Sequence, residues 1–82
     1  MAATKQDIIE WLKEGQENGS THVIVVCDTY DWDDYPVFVK PEEDVQAHFK
    51  YYNGSNMQKV MEVYNLSMSI SEQLNTHRAM NF

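Results

Sequence analysis

The sequence predicts a single α+β domain, residues 1–82, with the element order α-β-β-α-β-α. A three-stranded, mainly antiparallel sheet packed by helices is expected. Three observations support this prediction. A chain of 82 residues has room for one small core but not for two. A composition with 43% hydrophobic and 23% charged residues is typical of a globular protein. Short β-branched runs also alternate with segments of helical periodicity, which favours mixed architecture.

The first helix is predicted from a capping signal at its start. Thr4 and Asp7 have the spacing at which a hydroxyl and an acid satisfy the free N–H groups of a first turn. Asn18-Gly19 provides a left-handed stop. Apolar or small side chains share one stripe between these points: Ile8, Trp11, Leu12 and Gly15.

The next two segments predict a hairpin. His22 to Asp28 is a β-branched run without alternation, which indicates a central strand buried on both faces. Asp28 to Asp34 is polar and acidic, so a long surface loop is expected there. Tyr35 to Lys40 is predicted as a second strand, and Pro36 indicates either a strand start or an edge strand because proline cannot donate to a ladder.

A second helix is predicted to begin at Pro41, which suits a first helical position. The acids that follow would complement the helix dipole, and Asn53-Gly54 would end the helix. Its inward face is expected to consist of Val45, His48, Phe49 and Tyr52.

The last third of the chain is less clear in its pattern. Met57 to Leu66 fits helical spacing but is also rich in strand formers. A third strand from about Lys59 to Asn65 is favoured, because two strands alone make a poor sheet. A capping signal at Ser69 to Glu72 predicts a final helix that ends near Met80. Its inward stripe would be Ile70, Leu74 and His77.

The charge is concentrated in one segment. The net charge is -7, which argues against direct nucleic-acid binding because phosphate affinity comes from Lys and Arg. Residues 28–44 hold seven of the thirteen acids and a single base, Lys40. If the loop and the start of the second helix lie at opposite ends of one strand, they form two acidic clusters roughly 20 Å apart.

These acids have two interpretations. Acids at a helix start and Asp residues in loops are explained by local structure alone. Alternatively, the charge attracts a basic protein surface, by steering or by imitating nucleic acid. Interleaved aromatic residues favour a binding epitope, although Trp32 could instead fold over the sheet edge. The candidate partner-binding residues are Asp28, Tyr30, Asp31, Trp32, Asp33, Asp34, Tyr35, Glu42, Glu43 and Asp44.

Catalytic and metal-binding patterns are weak, so neither enzymatic activity nor a cofactor is expected. An EF-hand that starts at Asp31 would place Pro36 where glycine is required. A looser cation site of Asp28, Asp31 and Asp33 stays open. Zinc ligands would have to come from scattered residues without short-range spacing: His22, Cys27, His48 and His77. A metal- or ligand-binding domain that uses Cys27, Asp28 and a histidine is therefore the third hypothesis.

The second hypothesis is a homodimer or complex subunit held by apolar faces. Five Met and ten aromatic residues exceed what so small a core needs, and Tyr51, Tyr52 and residues 80–82 are expected to be partly exposed. A cytoplasmic location without a membrane partner is expected. The first seven residues are no secretion signal, the longest apolar run has five residues, and one cysteine suits a reducing compartment.

A resemblance adds context. The run from Ser20 to Val39, together with residues 57–66 and 72–78, resembles a group of small uncharacterised proteins scattered through bacterial, plasmid and phage genomes. The resemblance spans most of the chain and transfers no activity or catalytic residue. Small acidic proteins of such genomes are often inhibitors of host defence, including anti-CRISPR and anti-restriction proteins that imitate nucleic acid. The resemblance therefore implies an inhibitor as the most concrete form of the binding hypothesis.

Overall fold

The computed structural model describes residues 3–54, 57–76 and 78–82, and it confirms the predicted fold class and element order. The strands are His22–Asp28 (β1), Asp33–Val39 (β2) and Gln58–Asn65 (β3). The helices are Lys5–Glu17 (α1), Val45–Tyr52 (α2) and Ile70–Asn75 (α3). The strand order is β2-β1-β3, and both pairings are antiparallel. Within the described ranges, every helix is too short or too polar to cross a bilayer.

The central strand β1 separates two hydrophobic cores. Its residues Val23 to Cys27 are all buried, as the absence of alternation predicted. Val23 and Val25 face a core covered by α1 and α3, whereas Ile24 and Val26 face a core covered by α2. The sheet is therefore sandwiched, with α2 alone on one side. We call that side the α2 face.

Helix α1 begins and ends as predicted. Thr4 and Asp7 form the reciprocal capping box, and Asn18 is the C-cap. Gly15 lies where α1 approaches the sheet most tightly. A Cβ atom at this position would lie 2.8 Å from Cγ2 of Val23, so the close approach requires glycine.

The prediction of a long loop between β1 and β2 is wrong. Strand β2 begins at Asp33 rather than Tyr35, and residues 29–32 alone connect the strands. Asp28 and Asp33 lie opposite one another, and the Trp32 N–H donates to the Asp28 carbonyl at 2.7 Å. The start of β2 could not be predicted from the pattern because the side chains there are polar. A strand end that reaches solvent needs no apolar residue.

Pro36 occupies the edge strand, as expected. Beyond the end of β1, the Thr29 N–H donates to the carbonyl of Met57 at 2.7 Å. In an antiparallel sheet the N–H and C=O groups of successive residues point to opposite neighbouring strands. Those of the odd-numbered residues of β1 therefore point toward β3. Pro36 lies opposite Val25, so its backbone nitrogen faces away from β1 and no ladder bond is lost.

Helix α2 begins four residues later than predicted. Pro41 lies in a turn instead of the first helical position. The Glu43 N–H donates to the Lys40 carbonyl at 2.9 Å, and the Glu43 Oε1 accepts from the Lys40 N–H at 2.9 Å. These two bonds fix a tight turn, and Asp44 then caps the helix by accepting from the Gln46 N–H at 3.0 Å.

The predicted helix end near Met80 is also wrong, because α3 ends at Asn75. The following chain covers the outer edge of β3. The Val63 N–H donates to the Ala79 carbonyl at 2.8 Å, and the Asn81 N–H donates to the Val63 carbonyl at 3.0 Å. Pairing with an otherwise open strand edge therefore replaces the last helical turn. His77, predicted on the inward stripe, lies outside the described residues.

Gln73 joins α3 to this edge. Its side chain is 2% exposed. Its Oε1 accepts from the Asn65 N–H at 2.8 Å and from Asn81 Nδ2 at 3.0 Å, and its Nε2 donates to the Asn65 carbonyl at 2.9 Å. The buried amide thus has partners for both its donor and its acceptor, as buried polar groups require.

Candidate functional site

The predicted acidic segment forms two groups at opposite ends of β2. We call residues 28–35 the acidic loop and residues 42–44 the acidic turn. The seven-residue edge strand separates them, and at about 3.3 Å per residue the separation is about 20 Å.

The tip of the acidic loop presents two aromatic side chains to solvent. Tyr30 is 77% exposed and Trp32 is 58% exposed. Trp32 also has a φ of 61°, in the left-handed region that favours glycine. That conformation costs a residue with a Cβ roughly 1–2 kcal/mol. The loop therefore holds a bulky indole at the surface in a position where glycine would be easier to accommodate.

Trp32 does not fold into the core. The Nζ atom of Lys59 lies 5.4 Å from the centroid of its ring, within the range of a cation–π contact. This contact orients the indole beside the start of β3 and leaves more than half of the Trp32 surface exposed. The alternative in which Trp32 packs over the sheet edge as part of the core is therefore excluded.

The carboxylates at the loop tip bond to their own backbone. Asp28 Oδ1 accepts from the Tyr30 N–H at 2.9 Å, and Asp31 Oδ1 accepts from the Asp33 N–H at 3.3 Å. These are turn-forming bonds between an Asx side chain and a backbone group two residues later. An asparagine would accept the same bonds, so the turn requires the oxygen atom but not the negative charge.

Asp34 and Tyr35 are members of the acidic loop that contact other parts of the fold. Asp34 lies opposite Cys27 on the face away from α2, and its Oδ2 accepts from the Ala3 N–H at 2.9 Å. Burial raises the pKa of the Cys27 thiol, and the neighbouring Asp34 carboxylate raises it further. Tyr35 lies on the α2 face and its hydroxyl accepts from Gln58 Nε2.

The environment of Tyr35 connects the loop to α2. Burial is the main cause that raises the pKa of the Tyr35 hydroxyl, and Tyr52, Asp28 and Tyr51 add to it by charge interaction. The C-terminal end of α2 therefore lies near the acidic loop, while its N-terminal end carries the acidic turn. Helix α2, about 12 Å long, runs from the acidic turn toward the acidic loop.

The acidic turn is also tied to local backbone. Glu43 and Asp44 accept the bonds described above, and Glu43 Oε1 lies 3.6 Å from His48 Nε2. Glu42 is exposed. Lys40 does not neutralise the turn, because its Nζ donates to the Asn18 carbonyl at 3.1 Å. Glutamine and asparagine would preserve the hydrogen bonds here too, so this charge is not required for the local structure.

Helix α2 carries four residues near the acidic turn that were not among the predicted partner-binding residues: Ala47, His48, Tyr51 and Tyr52. A shallow depression of about 570 Å³ is lined by Glu43, Asp44, Ala47, His48, Tyr51 and Tyr52. The spacing i, i+3/i+4, i+7/i+8 from Asp44 places these side chains on one stripe of α2. The sequence contains this spacing, but His48 and Tyr52 were predicted only as part of the stripe of α2 that faces the core.

A second depression, of about 360 Å³, lies beside His22 at the start of β1. The Nε2 atom of His22 is buried and has no hydrogen-bond partner among the described residues. Its Nδ1 lies 2.8 Å from Thr21 Oγ1. Burial lowers the pKa of His22, and the nearby backbone of Phe82 offsets this in part. The folded state therefore favours the neutral imidazole.

The hypothesis of a metal site that uses Cys27, Asp28 and a histidine finds little support. Among residues 3–54, 57–76 and 78–82, no three His, Cys, Asp or Glu side chains come together in a metal-binding group. Cys27 belongs to the face covered by α1 and α3, whereas His22 faces the α2 side, because the two are five positions apart on one strand.

Comparison with protein-family models, with curated proteins and with solved structures finds no match for this chain. The functional interpretation therefore depends on the residues and geometry described above.

Proposed function

We propose that this protein is a non-catalytic, cytoplasmic interaction module whose acidic loop and acidic turn bind a basic surface on another protein. In the most concrete form of the proposal it is an inhibitor that occupies a nucleic-acid-binding groove, as anti-CRISPR and anti-restriction proteins of phages and mobile elements do. It binds neither nucleic acid nor membrane directly and requires no cofactor.

The observation that carries the proposal is the conformation and exposure of Trp32. A large aromatic side chain stands 58% exposed at a loop tip, in a backbone conformation that disfavours it. Strain of this kind concentrates at functional positions. Tryptophan and tyrosine are also enriched among the residues that contribute most to interface affinity. Tyr30 beside it is more exposed still.

The surrounding charge gives the chemistry of the partner. Asp28 and Asp31 accept hydrogen bonds from backbone N–H groups, and so do Glu43 and Asp44 in the acidic turn. None of these hydrogen bonds requires the negative charge. Removal of these charges would weaken the binding of a basic surface without loss of the local hydrogen bonds. The roughly 20 Å between the groups suits an extended basic groove better than a single charged contact.

The test is capture with wild-type chain and the Trp32→Gly variant as baits in an extract of the source organism. The substitution relieves the left-handed strain and removes one cation–π contact, so folded stability should stay within about 1 kcal/mol of wild type. We expect wild type to retain a basic, nucleic-acid-binding protein that roughly 0.5 M salt releases. Equal capture by the variant, or capture that salt does not weaken, would contradict the proposal.

A homodimer is the second candidate, and exposed apolar side chains favour it. Tyr51, Met57, Met68 and Phe82 all have large exposed fractions. They lie on separate segments of the chain and not in one continuous element. Light scattering at two concentrations separates the candidates, because a dimer would double the measured mass at the higher concentration.

A further inference from the structure

The depression on the outer stripe of α2 has an acidic end and an aromatic end. Glu43 and Asp44 lie at the start of the helix, and Tyr51 and Tyr52 lie in its last turn. The exposed Ala47 lies between them and is the smallest side chain of the lining. Helix α2 packs against the core through Val45, Phe49 and Tyr52. Tyr52 is therefore half-buried at the border of the depression, and the exposed part of the lining lies on the side of the helix that faces solvent.

The aromatic end is a continuous group of rings. Tyr51 and Tyr52 meet edge to face with centroids 4.8 Å apart, and His48 lies nearly parallel to Tyr52 at 6.3 Å. Tyr51 is 60% exposed. The face of an aromatic ring attracts a cation, and a planar guanidinium stacks on it more readily than an ammonium does.

The charge of the lining selects the occupant. Two of its six residues are carboxylates, and none is lysine or arginine. The seven residue steps from Asp44 to Tyr51 rise about 10 Å along the helix. One arginine side chain cannot reach both ends, but two cationic side chains at that separation can. Residues i and i+3 of a polyproline II segment lie on the same side of that segment and are also about 9 Å apart.

We propose that this depression binds a basic segment of the partner in polyproline II conformation through two arginines three residues apart. One guanidinium lies on the ring of Tyr51, and the other donates hydrogen bonds to Glu43 and Asp44. The inference rests on the proposed function and extends it, because it assigns Ala47, His48, Tyr51 and Tyr52 to a surface that continues from the acidic turn.

The test is an NMR titration of the full chain with three six-residue peptides. The first has arginines at its second and fifth positions, the second has the same composition with adjacent arginines, and the third has citrulline in place of both arginines. We expect the first peptide to bind most tightly and to shift the amide signals of Ala47, His48 and Tyr51. The citrulline peptide should cause no comparable shifts, because it lacks the charge.

Two pairs of variants locate the site. Tyr51→Ala should weaken binding of the first peptide about two- to fivefold, the range of an exposed cation–π contact. Its control is Met68→Ala, an exposed apolar side chain outside the acidic loop, the acidic turn and the depression, which should leave peptide binding unchanged. Ala47→Leu fills the depression and should weaken binding, whereas Gln46→Leu changes an exposed neighbour outside the lining and should not.

The outcomes distinguish this inference from the proposed function. Equal binding of the citrulline or adjacent-arginine peptide, or shifts confined to residues 28–35, would overturn the inference. If Trp32→Gly abolishes capture of the partner while Tyr51→Ala and Ala47→Leu leave both capture and peptide binding unchanged, the inference fails and the proposed function stands. If no variant affects capture, the proposed function itself is contradicted.

Discussion

Gln73 is a buried amide on which the closure of the sheet edge depends, so its replacement by methionine tests the account of the fold. Methionine has nearly the same length and shape but neither donates nor accepts a strong hydrogen bond. Gln73→Met would leave the N–H and the carbonyl of Asn65 and the Nδ2 of Asn81 without their present partners.

The expected loss is about 2–3 kcal/mol of unfolding free energy. The Gln73 side chain makes four hydrogen bonds, the fourth from its Nε2 to the Ser69 carbonyl at 3.2 Å. At about 1 kcal/mol each they give about 4 kcal/mol, and the apolar methionine offsets part of this. For a domain of this size, that loss lowers the melting temperature by roughly 10–20 °C.

Urea unfolding followed by circular dichroism measures the loss, with Gln16→Met on the exposed side of α1 as the matched control. The control should change stability by less than about 0.5 kcal/mol. If Gln73→Met costs no more than the control, the interpretation of the Gln73 network is wrong.

Three further outcomes are expected. Gly15→Ala gains about 1 kcal/mol of helix propensity but drives a methyl into Val23, so we expect a net loss of up to about 2 kcal/mol in urea unfolding; a gain would contradict the close packing. The pKa of His22 is lowered in the folded state, so the unfolded chain binds its proton first, and stability should fall as pH drops from about 7.5 to 5.5. His22→Gln should show a shallower fall by the same measurement, and an equal slope would refute this assignment. Cys27 has a raised pKa from burial and from Asp34, so iodoacetamide should alkylate it at least about tenfold more slowly than in the urea-unfolded chain; comparable rates would contradict its burial.

The central strand and both ends of α1 could be predicted because their signals are local. The capping box at Thr4 and the uninterrupted β-branched run of β1 leave few alternatives. The strand character of residues 58–65 followed from a global argument, since a third strand was needed to make a sheet.

The errors arose where another contact replaces the helical preference. The end of α3 could not be predicted, because Ala79 and Asn81 bond to Val63, which is distant in the sequence, so this contact forms only in the folded chain. The start of α2 moved for a local reason, because the Glu43 side chain closes a turn with Lys40.

The candidate site was predicted in its residues but not in its arrangement. Sequence spacing placed the acidic loop and the acidic turn at the ends of one strand. It could not show that Asp34 faces away from α2 with Cys27, because that depends on strand register. The α2 depression was not predicted from the sequence, because its lining can be identified only when the buried stripe of the helix is known.

The most direct test of the central claim compares two charge variants of equal net charge for binding to the captured partner. One is Asp28→Asn, Asp31→Asn, Glu43→Gln and Asp44→Asn, which keeps the hydrogen-bond acceptors of the acidic loop and acidic turn. The control neutralises four exposed acids elsewhere, Glu10, Glu14, Glu17 and Glu72, with glutamine. Association rates measured from roughly 0.05 to 0.5 M salt should fall for the first variant, with a weaker salt dependence, while the control stays near wild type. Equal rates for the two variants would show that overall charge, and not this surface, meets the partner.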